Sequence, residues 1–473
     1  MNQEKTFKYR WLSLAAVGMF TFMSTLDGSI VNIALPTISK DLGVAMNQSE
    51  WVVSVYLMAI CVFLLFFGKV GDSFGKIKVF KTGMIIFIIG SFLCGIPGNL
   101  TLLLVARVIQ AIGASMTMAT NSGIITEIFP PHERGRALGL IGSFVSLGSI
   151  AGPGIGGVIL SQYEWSYIFW INVPVGIFAL IFGWYFLPKD TTKSGEAIDY
   201  VGFFLFALFI LLFFGGIFLG QEFGFTHLGI VAMLVVSLIS LYVFYRYEKS
   251  HKNPLVQFKL FNKKVFTISL LTATMIFITN FFANVVNPFY LQDVLSLSTS
   301  SAGMLMMVFP LVMVVGAPFS GYLTDKKGPQ LITLIGLVLL TIGQLGYLVL
   351  SEGSPILLFV VTMMLVGAGN AMFQAPNNTI IMSSVDKTEY GVVGSLNALA
   401  RNFGMVVGIS LSTTILYQSM SFKMGEKVVG FVEGRPDVFV FGMHVTYLFS
   451  FAICLAATLL TAWRFKQMKQ TNK

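Results

Sequence analysis

Three residues in this sequence carry full charges inside long apolar runs. Asp27 lies in LDGSIVNIALP, Leu26 to Pro36, and Arg107 in LVARVIQAIGAS, Leu104 to Ser115. A carboxylate at the centre of a bilayer costs roughly 2.5–3.5 kcal/mol on insertion scales, so acids placed there face water-filled cavities and mark proton or substrate paths. Removal from water also favours the neutral acid, which makes such a carboxyl a candidate proton carrier. Arginine keeps its proton in proteins. Arg107 is therefore a fixed positive charge, favouring ionised Asp27 when the two approach and letting it take a proton when they part. The plainer alternatives are a helix-packing hydrogen bond for Asp27 and, for Arg107, a structural role with backbone carbonyls and Gln110 as partners. A second arginine within an apolar run, Arg401 in ARNFGMVVG, reads as structural or gating.

Uncharged polar groups are the other chemistry on offer. Asn32, Asn280, Asn284, Gln374 and Asn378 stand among apolar neighbours that include Met304, Met306, Phe281 and Phe373, a soft surface suited to binding varied small molecules. No phosphate-binding glycine loop and no metal-ligand cluster is present in the sequence, so energy is expected from an ion gradient, with no cofactor and no metal. Cys61, Cys94 and Cys454 all lie in apolar runs, where packing is their expected role. An enzyme or receptor would need a catalytic cluster or an appended domain, and neither is seen.

The elements that must hold these residues follow from composition. Of 473 residues, 55% are hydrophobic and 11% charged, against about 25% charged in soluble domains. The apolar residues recur in stretches of about twenty, the length of one bilayer-crossing helix. Spans are expected near residues 12–36, 50–69, 79–97, 99–123, 136–161 and 165–187, then 200–220 and 227–246, then 265–291, 301–323, 330–350, 354–378, 391–418 and 439–463. That makes an all-α integral membrane protein with 14 transmembrane helices. The net charge of +9 sits in short loops beside these spans, mostly on the side of both termini. It reads as topology with both ends cytoplasmic, not as nucleic-acid binding. The first apolar run exceeds signal-peptide length and is expected to be a retained span.

The chain also repeats itself. GKVGDSFG, Gly68 to Gly75, and GYLTDKKG, Gly321 to Gly328, share their G, D and G positions, and Gly113 and Gly135 find counterparts in Gly369 and Gly391. Two six-helix halves are implied, residues 1–190 and 265–473, with two inserted helices and a basic linker at 191–264.

Together these motifs resemble the major facilitator superfamily, and within it the fourteen-span drug:proton antiporters, over nearly the whole chain. LDGSIVNIALP is similar to that group's first-span signature, with Ser29 where Thr is usual, and LVARVIQAIGAS to its fourth-span motif, with Ala111 for a usual glycine. GKVGDSFGKIKVF is similar to the loop after the second span. There the resemblance implies a conformational latch built from Gly68, Asp72, Gly75 and Lys76, with a weaker copy at Asp325; Ser73 replaces a usual basic residue. Gly139, Gly148, Gly152, Pro153, Gly156 and Gly157 match the antiporter motif of the fifth span at every fixed position, and WSYIFWINVPVG, Trp165 to Gly176, is similar to the start of the sixth. Asn172 and Pro174 in that segment are expected to shape the helix entry and not to touch substrate. The resemblance implies a proton-coupled multidrug efflux antiporter in a bacterial cytoplasmic membrane, a monomer whose partners are protons, small amphiphilic substrates and the lipid bilayer. A lipid or glycolipid translocase on the same scaffold is the alternative, and proton-coupled uptake is disfavoured by the fifth-span motif.

Overall fold

The computed structural model describes residues 9–44, 46–49, 51–96, 98–130, 133–190, 195, 197–385, 389–426, 428, 431–432 and 434–471. Among these there is no strand. The long helices are α1 Arg10–Asp41, α2 Trp51–Phe74, α3 Lys76–Cys94, α4 Leu100–Ile128, α5 Arg134–Gln162, α6 Asn172–Phe186, α7 Tyr200–Phe223, α8 Leu228–Ser250, α9 Lys264–Phe289, α10 Val308–Lys327, α11 Pro329–Val349, α12 Ile356–Ser383, α13 Tyr390–Met424 and α14 Pro436–Thr471. Thirteen stretches among the described residues are long and apolar enough to cross a membrane. The one expected span missing from that set is α5. It is 29 residues long, but several of its side chains lie outside the described residues and only Arg136–Val145 counts as an apolar stretch.

Local chemistry sets where the helices begin. Asn99 and Asp199 cap α4 and α7 by accepting from the backbone N–H groups of Leu102 and Gly202, the usual use of short polar side chains at a helix start. The repeated loop motif has one backbone meaning in both places. Gly75, at φ 113°, separates α2 from α3, and Gly328, at φ 81°, separates α10 from α11; only glycine takes such angles without strain.

By packing the chain divides into two units, Met1–Lys263 with Ile381–Asn402, and Lys264–Ile380 with Phe403–Lys473. In the first, α1 lies along α5, α4 lies against both α2 and α3, and the inserted α7 packs on α8 and α2. Phe66 and Phe203, with ring centroids 4.7 Å apart, fasten that insert. In the second, α14 packs on α9 and α11. The repeat reappears as close packing. A Cβ on Gly83 of α3 would lie 2.8 Å from the carbonyl oxygen of Gly113 on α4, and one on Gly336 of α11 would lie 2.8 Å from that of Gly369 on α12. Small residues at these crossings let two backbones approach without lipid between them.

Candidate functional site

Asp27 lies in the middle of α1 with none of its surface exposed, and four helices besides its own close around it. Arg107 of α4, equally buried, donates from Nη1 to Asp27 Oδ2 at 2.7 Å. The same nitrogen donates to Gln110 Oε1 at 2.5 Å, and Arg107 Nε donates to the carbonyl oxygen of Val52 on α2 at 3.0 Å. Gln110 Nε2 in turn donates to Asp27 Oδ1 at 2.9 Å and to Ser91 Oγ of α3 at 2.8 Å. Asn172 Nδ2, from the first turn of α6, reaches Asp27 Oδ1 at 2.8 Å. The guanidinium carbon lies 4.0 Å from the centre of the Tyr56 ring and 5.6 Å from that of Phe169, a cation over aromatic faces in a water-poor site.

Arg107 pairs with Asp27, and it also holds a backbone carbonyl and Gln110. A buried ion pair is stable only where further hydrogen bonds saturate its remaining atoms. Here Asp27 accepts one bond on Oδ2 and two on Oδ1. Three atoms beside it have no partner among the described residues: Arg107 Nη2, Asn172 Oδ1 and the Tyr56 hydroxyl.

The glycine ladder of α5 supports the helix that carries Asp27. A Cβ on Gly148 would come 2.6 Å from Phe22 O, one on Gly152 would strike Ser29 Oγ, and one on Gly156 would come 2.8 Å from Ile30 Cγ1, all on α1. Ser29 Oγ, which replaces the more usual Thr, donates to Gly148 O at 3.1 Å. Gly157 faces open space. Gly139 is buried in α5, and the side chain of Pro153 lies outside the described residues.

The loop motif after α2 is also built. Asp72 Oδ1 pairs with Lys76 Nζ at 3.0 Å, and its Oδ2 accepts from the backbone N–H of Val392 at 2.9 Å, in the first turn of α13 and within the same packing unit. An acid at a helix N-terminus meets unsatisfied N–H groups and the positive end of the dipole. Gly68 is buried in α2. At Gly75 an added Cβ would strike the carboxylate of Asp190, which accepts from the N–H groups of Ile77 and Lys78 at 2.8 and 3.1 Å and so caps α3. Asp325, in the sequence copy, is exposed near the end of α10.

The amides read as a substrate surface fall into different settings. Asn280 and Asn370 exchange hydrogen bonds at 2.7 and 2.9 Å, so the Asn280 amide is occupied by another helix of its own unit. Gln374 approaches Asn370 Oδ1 at 3.5 Å and Asn284 donates to Asn280 O. Asn378 is half-buried on α12, and Asn32 is exposed on α1, bonded to Gly28 O one turn back.

Ser91, Asp190 and Asn370 escaped sequence reasoning, and Asn172 was read there only as shaping a helix entry. An amide or hydroxyl in an apolar run gives no charge signal, and Asp190, a loop acid, shows its role only through its partners Ile77 and Lys78 on a helix more than a hundred residues back. Asn172 alone had a usable hint, standing in the WSYIFWINVPVG motif.

Comparison with known proteins fits this geometry. The sequence pattern of the Major Facilitator Superfamily matches residues 17–409. A riboflavin transporter, RibZ of Clostridioides difficile, is 34% identical over 469 residues, covering 98% of this chain and 99% of the relative. A multidrug transporter, MdtP of Bacillus subtilis, is 29% identical over 92% of this chain and 81% of its own, and the multidrug resistance protein Stp of Mycobacterium tuberculosis is 27% identical over 86% and 75%. Among solved structures, the proton:xylose symporter XylE superposes with a TM-score of 0.69 at 14% identity, covering 97% of this chain and 96% of that one. The human organic anion transporter MFSD10 superposes with 0.65 at 13%, over 98% and 100%. At such identities the likeness is one of fold.

Proposed function

The chain belongs to the major facilitator superfamily, and from that premise we propose that it is a proton-coupled antiporter that exports small amphiphilic compounds. It crosses a bacterial cytoplasmic membrane fourteen times with both termini inside, as two six-helix halves, 1–190 and 265–473, around two inserted helices and a linker at 191–264. The observation that carries the reading is the Asp27–Arg107 pair, fully buried and 2.7 Å apart. In this scheme Asp27 takes a proton from outside, which loosens its hold on Arg107, and gives the proton up inside as substrate is taken from the cytoplasm or inner leaflet. Each proton moving inward gains about 2.3 kcal/mol per 100 mV of membrane potential. The ladder from Gly139 to Gly157 supports export over uptake. The Gly68, Asp72, Gly75 and Lys76 loop, with Asp325 in its repeat, acts as the latch. Asn32, Asn284, Gln374 and Asn378 remain the polar groups proposed for substrate, while Asn280 is assigned to holding Asn370.

A second reading, flavin transport, is favoured by the riboflavin transporter that matches along almost its full length. Both readings are separated by one experiment. The protein is reconstituted in liposomes with an imposed pH gradient, and proton flux is followed together with dyes, quinolones, riboflavin and labelled lipids. Coupled movement of several unrelated dyes is the expected result. Riboflavin alone would select the second reading, and lipids alone a translocase. Full-rate exchange by Asp27→Asn would falsify the assignment of proton coupling to Asp27.

A further inference from the structure

Arg107, Gln110 and Asn172 all touch Asp27, but they are not equally committed to it. Resting on the coupling role given to Asp27 above, we propose that Asn172 is the positioning residue that holds Asp27 in both protonation states. Its amide N–H braces the carboxylate, and its carbonyl oxygen, once the side chain turns over, accepts from the carboxylic acid.

The three partners differ in what they have left to offer. Arg107 has donors only, so it cannot accept the O–H of the protonated form. Gln110 is spent at both ends, with Oε1 accepting from Arg107 Nη1 at 2.5 Å and Nε2 donating to Asp27 Oδ1 and Ser91 Oγ. Turning its amide over would set an NH2 group against the guanidinium. Asn172 donates to Asp27 Oδ1 at 2.8 Å, while its own Oδ1 has no partner among the described residues, and the residue is 1% exposed. An amide exchanges its oxygen and nitrogen by a half-turn with almost no change of shape.

That half-turn matters because of what protonation does. An ionised carboxylate only accepts, whereas the acid has one O–H that must be given away. In a site closed to water an undelivered O–H carries the full desolvation penalty. The half-turn would bring the carbonyl oxygen of Asn172 to the place of Nδ2, 2.8 Å from Asp27 Oδ1, where it can accept that proton. The other titratable groups acting here are Arg107 from α4, Tyr56 from α2 and Cys94 from α3. Helices α5 and α6 carry such groups only at their ends, at Arg134, Arg136 and Tyr185.

The test is infrared titration of the purified full-length protein in lipid discs, with aspartate and asparagine isotopically labelled. Asp27→Asn identifies the Asp27 carboxyl band and Asn172→Ser the Asn172 amide band. In wild type the amide carbonyl band moves in step with the Asp27 titration. Asn172→Leu moves the Asp27 midpoint upward by about one pH unit, a tenfold change in proton affinity, because the bond lost from the charged form is stronger than that lost from the neutral one. Asn172→Ser, which can both donate and accept, brings the midpoint back toward wild type. An unchanged midpoint in Asn172→Leu overturns the inference and leaves Asp27 coupling intact. A shifted midpoint with no movement of the amide band reduces Asn172 to a donor and overturns its two-state role. If the wild-type Asp27 band does not titrate at all, the coupling reading falls, and this inference with it.

Discussion

At the scale of residues, the buried pair draws its stability from the groups that surround it. Desolvating two charges costs several kcal/mol per ion, and removing one partner of such a pair costs about 3–5 kcal/mol because the other is left uncompensated. Asp27→Asn keeps the shape of the site but strands Arg107, so a loss of this size is expected in unfolding of the detergent-solubilised protein. Gln110→Leu removes the bonds to Asp27, Arg107 and Ser91 but keeps the ion pair. With hydrogen bonds to charged groups worth about 1.5–3 kcal/mol each and Leu regaining apolar contact, a smaller loss of about 2 kcal/mol is expected. A larger loss from Gln110→Leu than from Asp27→Asn would mean that the amide, not the arginine, holds Asp27. The charged members of this cluster were legible in the sequence because a charge within twenty apolar residues has almost no innocent explanation. Asn172 and Ser91 were not, because what defines them is a partner 145 residues away in one case and 19 in the other.

At the scale of elements, the resemblance of the fifth span to the antiporter motif pointed to the glycine ladder but not to which of its members are under contact. Gly148 and Gly152 lie directly on α1, whereas Gly157 meets nothing within 4 Å. Overpacking a close crossing costs typically about 1–3 kcal/mol. Gly148→Ala and Gly152→Ala should therefore lower thermal stability and slow exchange, while Gly157→Ala leaves both near wild type; equal effects at all three would remove the distinction. The loop motif makes a similar point. Its repeat was readable, but not that Asp72 would meet the N-terminus of α13, some 320 residues further along the chain. Asp72→Asn keeps an acceptor, removes the charge that favours the helix dipole, an effect of about 0.3–1 kcal/mol, and also breaks the buried pair with Lys76. Faster hydrogen–deuterium exchange at the first amides of α13, Val392 foremost, is the expected result, with the amides of α14 unchanged.

At the scale of the whole molecule, topology turns on α5. Thirteen apolar stretches would put the two termini on opposite faces of the membrane, and a crossing by α5 would put them on the same face. The helix has 29 residues, about 43 Å at 1.5 Å per residue, which exceeds a hydrocarbon core of about 30 Å. Its glycines and serines suit a helix packed against another helix more than one facing lipid. It does pack along α1, the helix that carries the buried acid. The concentration of basic residues on the loops of the terminal side points the same way, since those loops share one face only if the number of crossings is even. Reporters active on one side of the membrane alone, inserted after Glu133 and after Tyr163 on either side of α5, should give opposite signals, and a reporter fused to the C-terminus should match the one at Glu133. Matching signals at Glu133 and Tyr163 would show that α5 does not cross, which would place the ladder and the Asp27 helix it supports in a thirteen-span protein with its ends on opposite sides.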